Sequence, residues 1–362
     1  MGVGGEILTI GTTSVGLGER RNVDLVVSES YSGLPVIVPV TVWRAKKPGP
    51  AVFVTAAVHG DELNGTGIVR EILLNAPFTL LNGSLVLVPV VNMLGLERHQ
   101  RYLPDRRDLN RSFPGDTEGS LARRFAHAVF QAIVKPCDFG IDLHTAAVRR
   151  TNFPNVRADL TRPRVKRLAF AMGTEIVING KGPIGSLRRS ACAAGCPTII
   201  LEAGEVWKVE PGVVECGVRA ISNVLIDSGM IEGERIEPVY QRRIEKTKWI
   251  RAAGGGILQF HVAPGDLVEE NQPLATNSDL HGQENRMVHS PCDGVVIGMT
   301  TLPVVTPGDP ICHVAVLKRG TRTVQRAVDR SSSTSLHERL RDELSTSITV
   351  SKPREAYERE IE

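Results

Sequence analysis

The chain lacks any large excess of positive or negative residues. Its 43 Lys and Arg stand against 40 Asp and Glu, a net charge of +3 over 362 residues. So small an excess supplies neither the basic groove of a nucleic-acid binder nor the polybasic face of a membrane-surface protein. Long apolar runs are missing too, and no stretch is long enough to span a bilayer. The opening MGVGGEILTI has no basic segment ahead of its apolar residues, and glycines break that run, so no secretory leader is expected. Glu6 stands where an N-myristoylation signal needs Ser or Thr. Cysteine is sparse: six residues, of which only Cys192 and Cys196 are close, with no His or Cys pair nearby to complete a zinc knuckle. Unpaired thiols suit a reducing compartment, so a cytoplasmic location is expected.

What is present is ordinary globular material, 41% hydrophobic and 23% charged. The length allows one sizeable core and a smaller second unit, since single cores stop growing at roughly 250–300 residues. Short β-rich runs fill residues 1–50. From residue 51 the pattern alternates. AVFVTAAV, SLVLVPVV, FGIDLH, EIVI and PTIILEAG read as buried strands, and 62–75, 117–135 and 211–230 carry apolar residues at helical spacing. That alternation predicts an α/β domain over a mostly parallel mixed sheet flanked by helices, covering residues 1–237. From 238 to 318 short strands are punctuated by APGD, SPCDG and TPGD turns, which predicts a small all-β, barrel-sandwich-like domain. Residues 319–362 are rich in Arg, Ser and Glu and read as a charged, mobile tail, with one short helix around HERLRDEL.

Chemistry-bearing residues fall at strand ends, where open α/β sheets place their sites. His59-Gly60-Asp61-Glu62 follows the first buried strand, and His144 ends another in Asp142-Leu143-His144-Thr145. His59-x-x-Glu62 alone reads as a turn with solvated polar groups, and the second strand-end histidine reverses that reading. Together they offer two His and one carboxylate, the ligand set of a catalytic zinc with a position left for water. Asp142 precedes His144 by two residues and faces the same side of a strand; it is either a carboxylate orienting the imidazole or a surface acid. Asp108-Leu-Asn110-Arg111 offers a fork for a carboxylate, with Asn110 adding a further donor. Glu202, at the end of an apolar strand, is a candidate general base, and Glu205 is its rival. Arg149, Arg150, Asn152 and Arg157 follow His144 and are either solvated loop residues or, through Arg150, selectors of an acidic substrate.

HGDE, N-x-x-G, RYLPD, DLNRSFPG, DLHT and LEAG occur in the order found in the succinylglutamate desuccinylase/aspartoacylase family, which the chain resembles over roughly residues 45–315. The resemblance implies a zinc-carboxypeptidase-like fold with one Zn²⁺ held by His59, Glu62 and His144. It implies a substrate carboxylate held by Asn110 and Arg111, a base in Glu202, and a carbonyl-polarising arginine in Arg101, with Arg98 as the alternative. The implied activity is hydrolysis of the amide bond of a small N-acylated amino acid; the partner is that small molecule, with no nucleic acid and no membrane. Oligomeric state stays open, a homo-oligomer included. A metallocarboxypeptidase acting on peptide C-termini and a non-catalytic binding protein on the same fold are the competing expectations. Residues 250–316 also resemble a lipoyl- or biotinyl-type module, but no lysine lies between Lys248 and Lys318, which excludes a carrier.

Overall fold

The computed structural model describes residues 7–351 except 31, 283, 284, 319, 346, 347 and 349. It divides into two compact units: Met1–Val148 with Pro154–Glu245, and Arg149–Phe153 with Lys246–Glu362.

In the first unit the sheet runs in the order Thr198–Glu205, Phe139–His144, Lys47–Ala56, Asn82–Val88, Pro35–Arg44, Arg20–Glu29. The first four strands are mutually parallel and the last two join antiparallel. The mostly parallel mixed sheet is therefore present, and its central strands read as continuous apolar runs because helices cover both faces. Val52, Phe53, Val54, Ile141 and Leu143 are almost wholly buried. Each such side chain contributes roughly 1.5–3 kcal/mol through burial. Gly140 is needed beside Phe53, because a methyl group there would sit 2.0 Å from the ring.

The helix Asn64–Asn75 starts two residues after Glu62 and buries Ile68, Val69 and Ile72. Leu121–Val129 is capped by the Ser120 side chain and continues as a π-helical turn over Phe130–Val134. Pro211–Asp227 begins on proline, and Gly229 behind it adopts the left-handed conformation that ends a helix.

One segment departs from the sequence reading. Residues 149–158, expected as a loop after His144, form the strand Arg150–Ala158. Within the first unit its Asn155–Ala158 part pairs in parallel with Ile176–Asn179, which in turn pairs with Arg242–Ile244. That last strand moves the division from the expected 237/238 to 245/246.

The second unit is a sandwich. Thr247–Arg251, Pro310–Val316 and Gly294–Thr300 form one antiparallel sheet, joined at Gly298–Thr300 by Arg150–Asn152. Asn285–His289, Pro273–Ser278, Gly256–Phe260 and Val304–Val305 form the other. Leu258, Phe260, Leu274, Val296, Ile311 and Val314 fill the space between. The stretch expected as a charged tail holds the helix expected around HERLRDEL, at Leu336–Ser345, and a second one, Thr321–Asp329, that was not expected. Leu340 and Leu344 are buried, His337 meets Phe153 edge-on at 5.4 Å, and Arg341 pairs with Asp266. An amphipathic stripe of few apolar residues is enough to dock these helices, which is why composition alone reads them as free. Residues 352–362 lie outside the described residues. Among the described residues no helix is long and apolar enough to cross a membrane.

Candidate active site

Three adjacent parallel strands end at one place. Thr55 is in register with Asp142, Ala56 with Leu143, and His144 with Glu202, so their carboxyl ends deliver His59, His144 and Glu202 to a common edge. After Ala56 the chain turns sharply: Ala57 is held at φ +49°, and the backbone N–H of Asn92 donates to its carbonyl at 2.9 Å. Gly60 then lies flat on Gly95, where a methyl group would be 2.1 Å from the Gly95 carbonyl carbon. Only glycine lets the turn pack this closely.

Glu62 stands at the centre, 2% exposed. Its Oε1 is 2.7 Å from His59 Nδ1 and its Oε2 is 2.7 Å from His144 Nδ1. The backbone N–H of Thr145 also donates to Oε2, at 3.2 Å. One donor atom from each of His59, Glu62 and His144 lies within 4.8 Å of the others. Two imidazoles and a carboxylate converging at that range fit a divalent cation. Burial penalises the Glu62 charge, but the two imidazoles outweigh it and hold the carboxyl far below its usual range. Burial likewise disfavours the His144 cation, yet Asp142 and Glu62 together push that imidazole well above its ordinary value. His59 is raised in the same way, by Glu62 and Asp108.

Each imidazole has a carboxylate on its far nitrogen. Asp142 Oδ2 is 2.8 Å from His144 Nε2, while its Oδ1 accepts from the Thr55 hydroxyl at 2.8 Å. Asp108 Oδ1 is 3.2 Å from His59 Nε2, and its Oδ2 accepts from Arg101 at 3.0 Å. Such carboxylates fix the ring orientation and leave Nδ1 facing inward. Asp142→Asn is accordingly expected to weaken metal affinity by about 10–100-fold in a chelator competition titration. Unchanged affinity would assign Asp142 to packing alone.

The remaining sequence candidates separate. The Arg101 guanidinium lies 3.2 Å from both Glu62 Oε1 and His59 Nδ1, whereas Arg98 is exposed to solvent. Asn110 is buried, and its side-chain oxygen accepts the Leu187 N–H at 2.8 Å. Arg111 is exposed and folds back to donate to the Asn110 carbonyl at 2.8 Å. Glu205 is turned away into an ion pair with Lys208. Arg150 belongs to the second unit, where its guanidinium lies 5.2 Å above the Trp249 ring.

Two contributors, Asp108 and Arg188, were given no role in the sequence reading, and a third, Arg157, was weighed there only as one of several loop residues. Asp108 carries no local signal, because its partner His59 is 49 residues away. Arg157 lies 3.6 Å from Glu202, and only its place in a strand turns it inward. Arg188, near the start of the helix Leu187–Ala193, is 5% exposed. Burial and the neighbouring Arg157 lower its pKa to about 10, against the pull of Glu202 and Asp142.

Residues 48–227 match the profile of the Succinylglutamate desuccinylase/Aspartoacylase catalytic domain. The N-alpha-acetyl-L-2,4-diaminobutyric acid deacetylase of Halomonas elongata is 26% identical over 294 residues, 77% of this chain and 86% of that protein. A succinylglutamate desuccinylase/aspartoacylase structure from Rhodobacter sphaeroides superposes with a TM-score of 0.70 at 25% identity, covering 82% of this chain and 95% of that one. The product-bound ectoine utilization protein EutE (DoeB) of Ruegeria pomeroyi has the same fold, with a TM-score of 0.74 at 21% identity over 86% of this chain and 99% of that one.

Proposed function

From the premise that this chain belongs to the succinylglutamate desuccinylase/aspartoacylase family, its catalytic domain spanning residues 48–227, we propose that it is a zinc-dependent hydrolase of small N-acylated amino acids. The observation that carries the reading is the convergence of His59, Glu62 and His144 at the carboxyl ends of adjacent strands, with Glu202 in register beside His144. The deacetylase relative supports an amide as the bond cleaved.

A zinc ion held by His59, Glu62 and His144 would supply Lewis acidity and bring the pKa of a water there down to about 7. Glu202 takes the proton of the attacking water and returns it to the departing amine. Arg101, already beside Glu62, donates to the acyl oxygen as negative charge builds on it. Asn110, whose oxygen is committed to Leu187, keeps its NH₂ for the substrate carboxylate, and Arg111 swings from the Asn110 carbonyl to complete the clamp. Asp142 and Asp108 keep the imidazoles turned inward. Arg157 and Arg188 make the surroundings of Glu202 positive, which favours a substrate with a second acidic group over one with a second amine. The reading keeps the enzyme in the cytoplasm.

The test is metal analysis of the purified protein together with a hydrolysis panel of N-acetyl, N-formyl and N-succinyl amino acids and a few peptides. One zinc per chain with chelator-sensitive release of an amino acid is expected. Cleavage restricted to peptides would assign the chain to the carboxypeptidases, and stoichiometric metal without turnover would leave a binding protein.

A further inference from the structure

The loop after the strand Thr198–Glu205 carries an exposed indole that the reaction does not use. Trp207 is 53% exposed and adopts φ +59°, a left-handed conformation that a bulky side chain rarely enters. The neck of its loop is sealed: Glu210 Oε2 accepts from the Asn64 amide at 2.7 Å and from the Glu205 N–H at 2.9 Å, while Asn64 Oδ1 accepts the Glu210 N–H at 2.8 Å. The tip is fixed at two points. The Trp207 backbone N–H donates to the Asp61 carbonyl at 2.8 Å, inside the His59–Glu62 turn. Its indole Nε1–H donates to the His99 carbonyl at 3.1 Å, two residues before Arg101. His99 is itself left-handed, at φ +51°.

We propose that Trp207 is a positioning residue, a clasp that ties the Arg101-bearing turn to the ligand turn and so sets where Arg101 meets the acyl oxygen. The proposal rests on the role given to Arg101 above. Any residue tolerating positive φ could make the backbone bond to Asp61; what the indole adds is the donor to His99. The opposite side of that turn is held by Asn92, whose side-chain NH₂ donates to the Arg101 carbonyl at 3.3 Å. Backbone bonds from Arg98 and Gln100 to the Gly95 carbonyl, at 3.2 and 2.9 Å, and from His99 to the Leu96 carbonyl, at 2.9 Å, hold it as well. Without the indole bond the turn keeps its fold and loses one of its tethers. A persistent backbone outlier with two fixed contacts beside a reacting centre is the kind of strain that function retains.

The test is a double-mutant cycle between Trp207→Phe and Arg101→Ala on the metal-loaded enzyme. Trp207→Phe keeps an aromatic ring and the backbone bond and removes only the donor. It should retain one metal per chain and an unchanged Tm, lower kcat about tenfold with KM within about twofold, and speed amide exchange at Arg98 and Gln100. In the Arg101→Ala background the same substitution should cost nothing further, because the clasp acts through that arginine. Arg101→Ala alone reports on the catalytic reading: full kcat there removes Arg101 from the reaction. Equal losses from Trp207→Phe in both backgrounds, a wild-type kcat, or unchanged exchange would overturn the clasp itself. If Trp207→Phe does not fold, the cycle is run with Trp207→Leu, which likewise lacks a side-chain donor, and is read the same way.

Discussion

Glu202→Gln should leave metal content unchanged and lower kcat by about 10²–10⁴-fold, the range expected if the proposed general base is removed. Gln has nearly the shape of Glu, so the strand end beside His144 and the packing around it persist while the proton acceptor is gone. The carboxylate is 14% exposed and faces Arg157 at 3.6 Å, so it is accessible to a water yet held in place. Glu205→Gln serves as the control. That side chain is paired with Lys208, and its neutralisation should leave kcat near wild type. Near-normal turnover in Glu202→Gln would move the base elsewhere, and a collapse in Glu205→Gln would say where.

His144→Ala should abolish both metal retention and activity. It removes one of three donors and leaves the buried carboxylates of Glu62 and Asp142 without the imidazole that now lies between them. Breaking a buried charged pair in this way costs about 3–5 kcal/mol, so the variant should also melt at a lower temperature. A fully loaded His144→Ala protein would mean that the third ligand has been misplaced. The same cluster sets a pH dependence. His144 is raised in the metal-free fold, so its stabilising contribution is fully present below the ordinary imidazole value of about 6.5 and is lost as pH rises through the raised value. Metal binding needs the imidazole neutral and competes with that proton. The Tm gap between metal-loaded and metal-free protein should therefore widen as pH rises above about 6.5, a constant gap being the contrary result. Glu62 has the opposite sign: its contribution is present above the unfolded carboxyl value and fades only in strong acid.

Much of this was legible from residues alone. Buried parallel strands announce themselves as unbroken apolar runs, as in AVFVTAAV and FGIDLH. A polar residue at the end of such a run, as at His144 or Glu202, has few uses other than a site. The strand Arg150–Ala158 was hidden because its RTNFPNVRA mixes charge, amide and proline, the composition of a loop. Its place was fixed by pairing partners distant in the chain, and the inward turn of Arg157 went with it. Asp108 was hidden for a related reason. Its neighbours Asn110 and Arg111 suggested a substrate clamp, while its own contacts, to His59 and Arg101, come from tertiary structure. The expected clamp itself is half committed, with Asn110 anchoring the start of a helix through Leu187.

The five residues Arg149–Phe153 belong to the second unit although the chain reaches them ninety-odd positions before the rest of it. That unit is consequently no cassette. A gene fragment opening at Lys246 would encode Gly298, Met299 and Thr300 without Asn152, Thr151 and Arg150, the residues they pair with, and Phe153 would be missing from beside His337. Recombination could not have lifted the sandwich whole from this chain or grafted it onto another by a single crossover. Attempts to express either unit alone should draw their boundaries through residues 149–153 as well as through 245/246.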